Sequence, residues 1–115
     1  MTSLHILLEA RSAVHRCWRA YEIDVGADLF GVRLVEMSYG RIGTMGRSKI
    51  RSFATAADAQ AEVDGCLRKR ASAPRRIGVA YRLRRANQAG RWSQPGLDDR
   101  LRAWFGEPVG TDDLP

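Results

Sequence analysis

The sequence has few residues of the kinds that bind metals. It contains two cysteines and two histidines in 115 residues. Cys17 and Cys66 form no CxxC pair, and neither lies near a histidine at the spacing of helical metal ligands. His5 and His15 are equally isolated along the chain. The sequence therefore predicts no zinc site and no cofactor.

Residue sets typical of enzymes are also missing. No serine, histidine and aspartate occur at the spacing of a known catalytic triad, and no cysteine has a plausible histidine base. Asp98 and Asp99 are adjacent acids near a predicted helix start, where acids are common for electrostatic reasons. We therefore expect a protein that is not an enzyme.

Long apolar runs are absent as well. The apolar stretch that begins at Leu4 reaches Glu9 after only a few residues. A membrane-spanning helix needs about 20 apolar residues, and a signal peptide needs an apolar core longer than this one. The expected setting is cytoplasmic and reducing, with no membrane contact.

Positive charge is abundant and unevenly distributed. There are 19 Lys+Arg against 13 Asp+Glu, a net charge of +6, and only two of the basic residues are lysines. The stretches 37–57 and 65–97 contain basic residues and no acid, whereas acids collect in the first strands, the early helix and the C-terminal tail. Such segregation is typical of phosphate binding. Two alternatives stay open: arginine enriched by a G+C-rich coding sequence, and arginines that only solvate a sheet face.

Alternating apolar and polar residues predict an antiparallel sheet. In the second strand Arg19, Tyr21, Ile23 and Val25 share one face. In the fourth strand the side chains of Arg47, Lys49 and Arg51 share a face, and Ile50 points the other way. The predicted strands are Leu4–Glu9, Arg16–Val25, Val32–Tyr39, Arg47–Phe53 and a fifth that contains Ile77, Val79 and Tyr81.

Two helices are predicted. Thr55 and Asp58 have the spacing of a helix N-terminal capping box, so a main helix is expected from Thr55 to about Arg70, ended by Pro74. A short amphipathic helix is expected over Leu97–Phe105. The main helix carries an apolar stripe of Ala56, Ala59, Val63, Cys66 and Leu67.

A glycine-rich segment joins the third and fourth strands: Tyr39-Gly40-Arg41-Ile42-Gly43-Thr44-Met45-Gly46. Three glycines in seven residues indicate a tight turn or a close backbone approach. The segment lies between two strands, so it is neither a P-loop nor a dinucleotide-binding motif, both of which need a helix behind them.

This segment is similar to the W-G-R-x-G-x-x-G signature of the WGR family, with Tyr39 in place of the tryptophan. Three other blocks resemble the family in the same order: Trp18–Ile23, Phe53–Ala59 and Arg76–Tyr81. The resemblance spans about residues 4–85. It implies an α+β fold, a twisted antiparallel sheet of about five strands with one main helix packed on it. The short C-terminal helix is predicted in addition. Residues 1–85 are expected to form the WGR-like domain, and residues 86–115 an extension with an acidic tail.

The family resemblance also implies a function. WGR domains of poly(ADP-ribose) polymerases bind DNA ends. The signature aromatic lies against the terminal sugar, and the signature arginine helps to contact DNA or the partner domain; by resemblance these roles belong to Tyr39 and Arg41. The predicted function is a non-catalytic nucleic-acid-binding module, expected to bind DNA and its ends. The predicted nucleic-acid-binding residues are Tyr39, Gly40, Arg41, Arg47, Lys49 and Arg51.

A second hypothesis is a protein–protein interaction module that regulates a separately encoded enzyme. Its surface would be formed by Trp92, Trp104 and Phe105, which lie outside the family core. The alternative for these three rings is that they fold back to cover the sheet or the helix.

Overall fold

The computed structural model describes residues 2–89, 92 and 94–108. Over this part of the chain the protein forms five strands and three helices. Residues 109–115, most of the predicted acidic tail, lie outside the described residues. The strands are β1 (Thr2–Ser12), β2 (Cys17–Ala27), β3 (Arg33–Arg41), β4 (Arg47–Phe53) and β5 (Arg82–Gln88), and the helices are α1 (Ala56–Ala71), α2 (Ala73–Ile77) and α3 (Leu97–Phe105).

The strands form one antiparallel sheet in the order β4-β3-β2-β1-β5. One face of the sheet is apolar and buried under the helices, as the alternation in the sequence predicts. On β2 this face carries Tyr21, Ile23 and Val25, all buried. Because directly opposed residues of antiparallel strands point to the same side, the pairing of Ile23 with Ile6 and with Met37 continues the core across three strands. The predicted α+β fold is confirmed.

The main helix begins where the sequence predicts. The Thr55 hydroxyl accepts a hydrogen bond from the Asp58 backbone N–H at 3.2 Å, which satisfies a free amide of the first turn. Ala59, Val63 and Leu67 are buried against the sheet. Pro74 does not end the helical path: the chain bends at Ser72, and the proline lies in the first turn of α2. A proline is tolerated there because the first helical N–H groups have no intrahelical partner.

The predicted fifth strand is wrong in position. Ile77 belongs to α2, which ends at Gly78 in the left-handed conformation (φ 77°). Val79 and Tyr81 are buried residues of the connection that follows. The fifth strand is β5, which pairs with β1. Three alternating apolar residues fit a buried connection as well as a strand, whereas β5 lies at a sheet edge, where charged residues are common.

The third helix packs on the same core as the rest of the chain. Leu97, Leu101 and Phe105 are buried. Asp64 of α1 anchors the segment, since its carboxylate accepts hydrogen bonds from Gln94 at 2.9 Å and from Arg100 at 2.8 Å. Within the described residues, no helix is long and apolar enough to cross a membrane.

Candidate nucleic-acid interface

A basic cavity of about 560 Å³ opens at one end of the sheet. It is formed by the β1–β2 turn, the adjoining ends of β2 and β3, the end of α1, and α2. Among the described residues that line it there is no carboxylate. Its positive charge comes from Arg16, Arg19, Arg41, Arg70 and Arg76.

Two of these arginines are paired neighbours on adjacent strands of the sheet. Arg19 of β2 and Arg41 of β3 are directly opposed partners in the antiparallel register. Directly opposed side chains have Cβ atoms about 4.5–5.5 Å apart, and like charges in such pairs are destabilising. In the described part of the chain neither arginine forms an ion pair. This concentration of positive charge favours an anion in the cavity.

Arg70 reaches the cavity from the end of α1, and Arg76 reaches it from α2. The Arg70 guanidinium lies 3.9 Å from the centroid of the Tyr21 ring, a cation–π contact. Burial raises the pKa of Tyr21 above its ordinary value, so this ring stays neutral. Arg76 donates hydrogen bonds to the Lys69 carbonyl at 2.6 Å and the Ser72 hydroxyl at 3.1 Å. Both guanidinium groups are therefore held in place by the fold.

Tyr39 lies at the rim of the cavity and is 43% exposed. It is opposed by Tyr21 on β2 and by Arg47 on β4. Tyr39 is therefore not a core residue.

The glycines of the signature allow a close backbone approach beside Tyr39. A Cβ at Gly46 would lie 2.3 Å from the Tyr39 carbonyl oxygen, and a Cβ at Gly40 would lie 2.7 Å from the Cα of Gly46. Gly46 also has a φ of 62°, in the left-handed region that favours glycine. These two glycines therefore fold the turn tightly against the strand that carries Tyr39 and Arg41.

The basic strand β4 extends the positive surface. Arg47, Lys49 and Arg51 are exposed and lie on the helix-covered side of the sheet, since they oppose Tyr39, Met37 and Val35. Arg51 has an internal role, because it forms an ion pair with Glu62 of α1 at 3.0 Å and lies over the Phe53 ring. Arg47 lies next to the cavity, because it is paired with Tyr39, which lines it.

The structure thus brings Tyr39, Gly40 and Arg41 together in one cavity, with Arg47 beside them. Sequence reasoning missed Arg16, Arg19, Arg70 and Arg76 as members of this site. The sequence carries one signal for Arg19, which alternates with Tyr21 on the same face. Nothing in the sequence pattern indicates that the end of α1 returns to this end of the sheet.

The aromatic residues of the C-terminal segment pack on the core. Phe105 is 3% exposed, and Trp104 contacts it edge-on with ring centroids 6.3 Å apart. Trp92 and Trp104 are partly buried against the same core. This placement agrees with the interpretation that these rings cover the sheet and helices.

The chain matches a known protein family. A family model described as WGR domain matches residues 5–73, from β1 to the start of α2. No curated protein and no solved structure matches the chain. WGR domains are nucleic-acid-binding modules known from poly(ADP-ribose) polymerase-like proteins, and the domain is not itself catalytic. The matched segment is more than half of the chain and contains the glycine-rich turn and β4, so the chain belongs to the WGR domain family.

Proposed function

We propose that the chain binds DNA through the basic cavity and the adjoining edge of β4, without catalytic residues of its own. One observation carries the proposal: five arginines line the cavity, and the described lining residues include no carboxylate. Surfaces of this kind bind phosphate because each contact releases condensed counterions from the nucleic acid.

The opposed pair of arginines is the centre of the proposed phosphate site. A phosphate between Arg19 and Arg41 converts an unfavourable pair into two favourable ones. A guanidinium also matches phosphate geometry, since two parallel N–H groups can donate to two oxygens. Arg70 and Arg76, held by Tyr21 and by the helix end, add charge without needing to be ordered on binding.

The finer proposal is that the site prefers a DNA end. Tyr39 presents a half-exposed ring next to the arginines, and such rings stack on bases and sugars. Inside a continuous duplex, each base already stacks on its neighbours. A terminal nucleotide has one free face, so Tyr39 gains most contact there.

The test is a salt titration of binding to linear, nicked and covalently closed circular duplexes of equal length. The wild-type affinity should fall with salt, with a log–log slope of about −0.9 per phosphate neutralised. Arg19→Ala/Arg41→Ala removes the phosphate site that the two arginines share, so the slope should become shallower by about 0.9.

The matched control is Arg82→Ala/Arg85→Ala. It removes the same charge from exposed positions on β5 that do not line the cavity. Equal losses in the two double variants would show that only net charge matters and would refute the site. Equal affinity for linear and circular DNA would refute end preference and leave phosphate binding standing.

A further inference from the structure

The opposite face of the sheet carries a cluster that has no part in the basic cavity. His5 of β1 lies directly opposite Asp24 of β2, and Glu22 is two residues from Asp24 on the same face. All three are half-buried. A ring nitrogen of His5 and one carboxylate oxygen each from Glu22 and Asp24 lie within 4.8 Å of one another. The sheet register thus joins residues that are 17 to 19 positions apart in the chain.

Negative charge in this cluster is not fully compensated. The His5 Nε2 atom lies 2.6 Å from a Glu22 carboxylate oxygen, which provides Glu22 with a partner. The Asp24 carboxylate forms no hydrogen bond and no ion pair within the described part of the chain. Its opposed neighbour on β3 is a further carboxylate, Glu36. The half-buried Asp24 carboxylate thus has two carboxylates and only one imidazole near it. A bound cation would stabilise this concentration of negative charge.

We propose that His5, Glu22 and Asp24 bind a divalent first-row transition-metal ion, with Zn²⁺ as the best match. Imidazole nitrogen and carboxylate oxygen are both zinc donors, at about 2.0–2.2 Å. The imidazole selects against Mg²⁺ and Ca²⁺, which take oxygen ligands. Three protein ligands leave a coordination position for water or for Glu36.

The strands hold these side chains close together before any ion binds. His5 and Asp24 are opposed across central strands of the sheet, where Cβ atoms are about 4.5–5.5 Å apart. The three donor atoms lie within 4.8 Å of one another, so we expect side-chain rotations to bring them to one ion. The bound ion would link β1 to β2 on the face of the sheet opposite the cavity. We therefore expect metal binding at this site to leave DNA binding unchanged.

The experiment uses the full chain, stripped with EDTA and desalted. Isothermal titration with ZnCl₂ should give one ion per chain, and one equivalent of Zn²⁺ should raise the melting temperature whereas Mg²⁺ should not. The imidazole NMR signals of His5 should shift on titration, and those of His15 should stay in place. DNA affinity should be the same with and without Zn²⁺.

Variants assign the ligands. His5→Gln and Asp24→Asn should each weaken Zn²⁺ binding by at least about 10-fold. His15→Gln and Cys17→Ser/Cys66→Ser are the controls, because these residues are the alternative imidazole and thiol donors. Circular dichroism confirms that each variant is folded. Absence of a 1:1 Zn²⁺ complex, or a loss confined to the control variants, would overturn the proposal and leave His5–Glu22 as an ordinary ion pair.

Discussion

Arg41→Gln is expected to stabilise the free protein while weakening DNA binding. The change removes one of two like charges that are directly opposed on β2 and β3. Such pairs cost about 0.2–1 kcal/mol, and because Arg19 and Arg41 are both exposed, the lower half of that range applies. A gain of about 0.5 kcal/mol in the free energy of unfolding corresponds to a rise of about 2–4 °C in melting temperature.

The assay is urea unfolding at two ionic strengths. At about 10 mM salt the Debye length is about 30 Å and the repulsion is felt; at about 1 M it is about 3 Å, and the gain should vanish. Arg47→Gln is the control, because Arg47 is opposed by Tyr39 rather than by a cation. The same variants are tested for DNA binding, where Arg41→Gln should lose affinity.

Three outcomes would refute this reasoning. A loss of stability in Arg41→Gln would show that the arginine has a structural role. A gain that persists at high salt would have a cause other than charge repulsion. Unchanged DNA affinity would show that Arg41 takes no part in DNA binding, even though it repels Arg19. The opposed pair would then no longer support the proposed function.

Three further predictions concern the core, the ring at the cavity rim and the polar face. Leu67→Ala should lower the free energy of unfolding by about 2–5 kcal/mol in urea titrations, because Leu67 is fully buried between α1 and the sheet; a loss below about 1 kcal/mol would contradict this packing. Tyr39→Ala should weaken binding to linear DNA more than to circular DNA, by about 1–3 kcal/mol, with little change in melting temperature since the ring is half-exposed; Tyr39→Phe keeps the stacking face and should bind as the wild type does. Burial raises the pKa of the Asp24 carboxyl; the charge of His5 opposes this rise, and the carboxylates of Glu22 and Glu36 add to it. The stabilising contribution of the protonated carboxyl is thus present at acid pH and lost as pH rises through the folded-state pKa. Asp24→Asn should therefore raise the melting temperature at pH 7 in EDTA, with a gain that shrinks at about pH 3; a gain independent of pH would contradict this ionisation.

Local patterns in the sequence were sufficient for much of the fold. The alternation at Tyr21, Ile23 and Val25 identifies the buried side of β2, because side chains of a strand point to opposite faces in turn. Thr55 marks the start of α1, since a cap needs only a hydroxyl and a nearby free amide. The fifth strand could not be placed, because β5 exists through its pairing with β1, a partner about 80 residues away in the chain.

The candidate site, too, could be predicted only in part from the sequence. Tyr39, Gly40 and Arg41 are readable from one contiguous motif, and Gly46 from its spacing. Only the tertiary structure sets Arg19 against Arg41, because that pairing depends on the register of two strands. Likewise, the packing of the helices on the sheet brings Arg70 of α1 and Arg76 of α2 to the cavity, and strand pairing brings His5 to Asp24. The physical reason is that short-range patterns report on the conformation of one segment, whereas a binding site is made by contacts between segments that meet only when the core is packed.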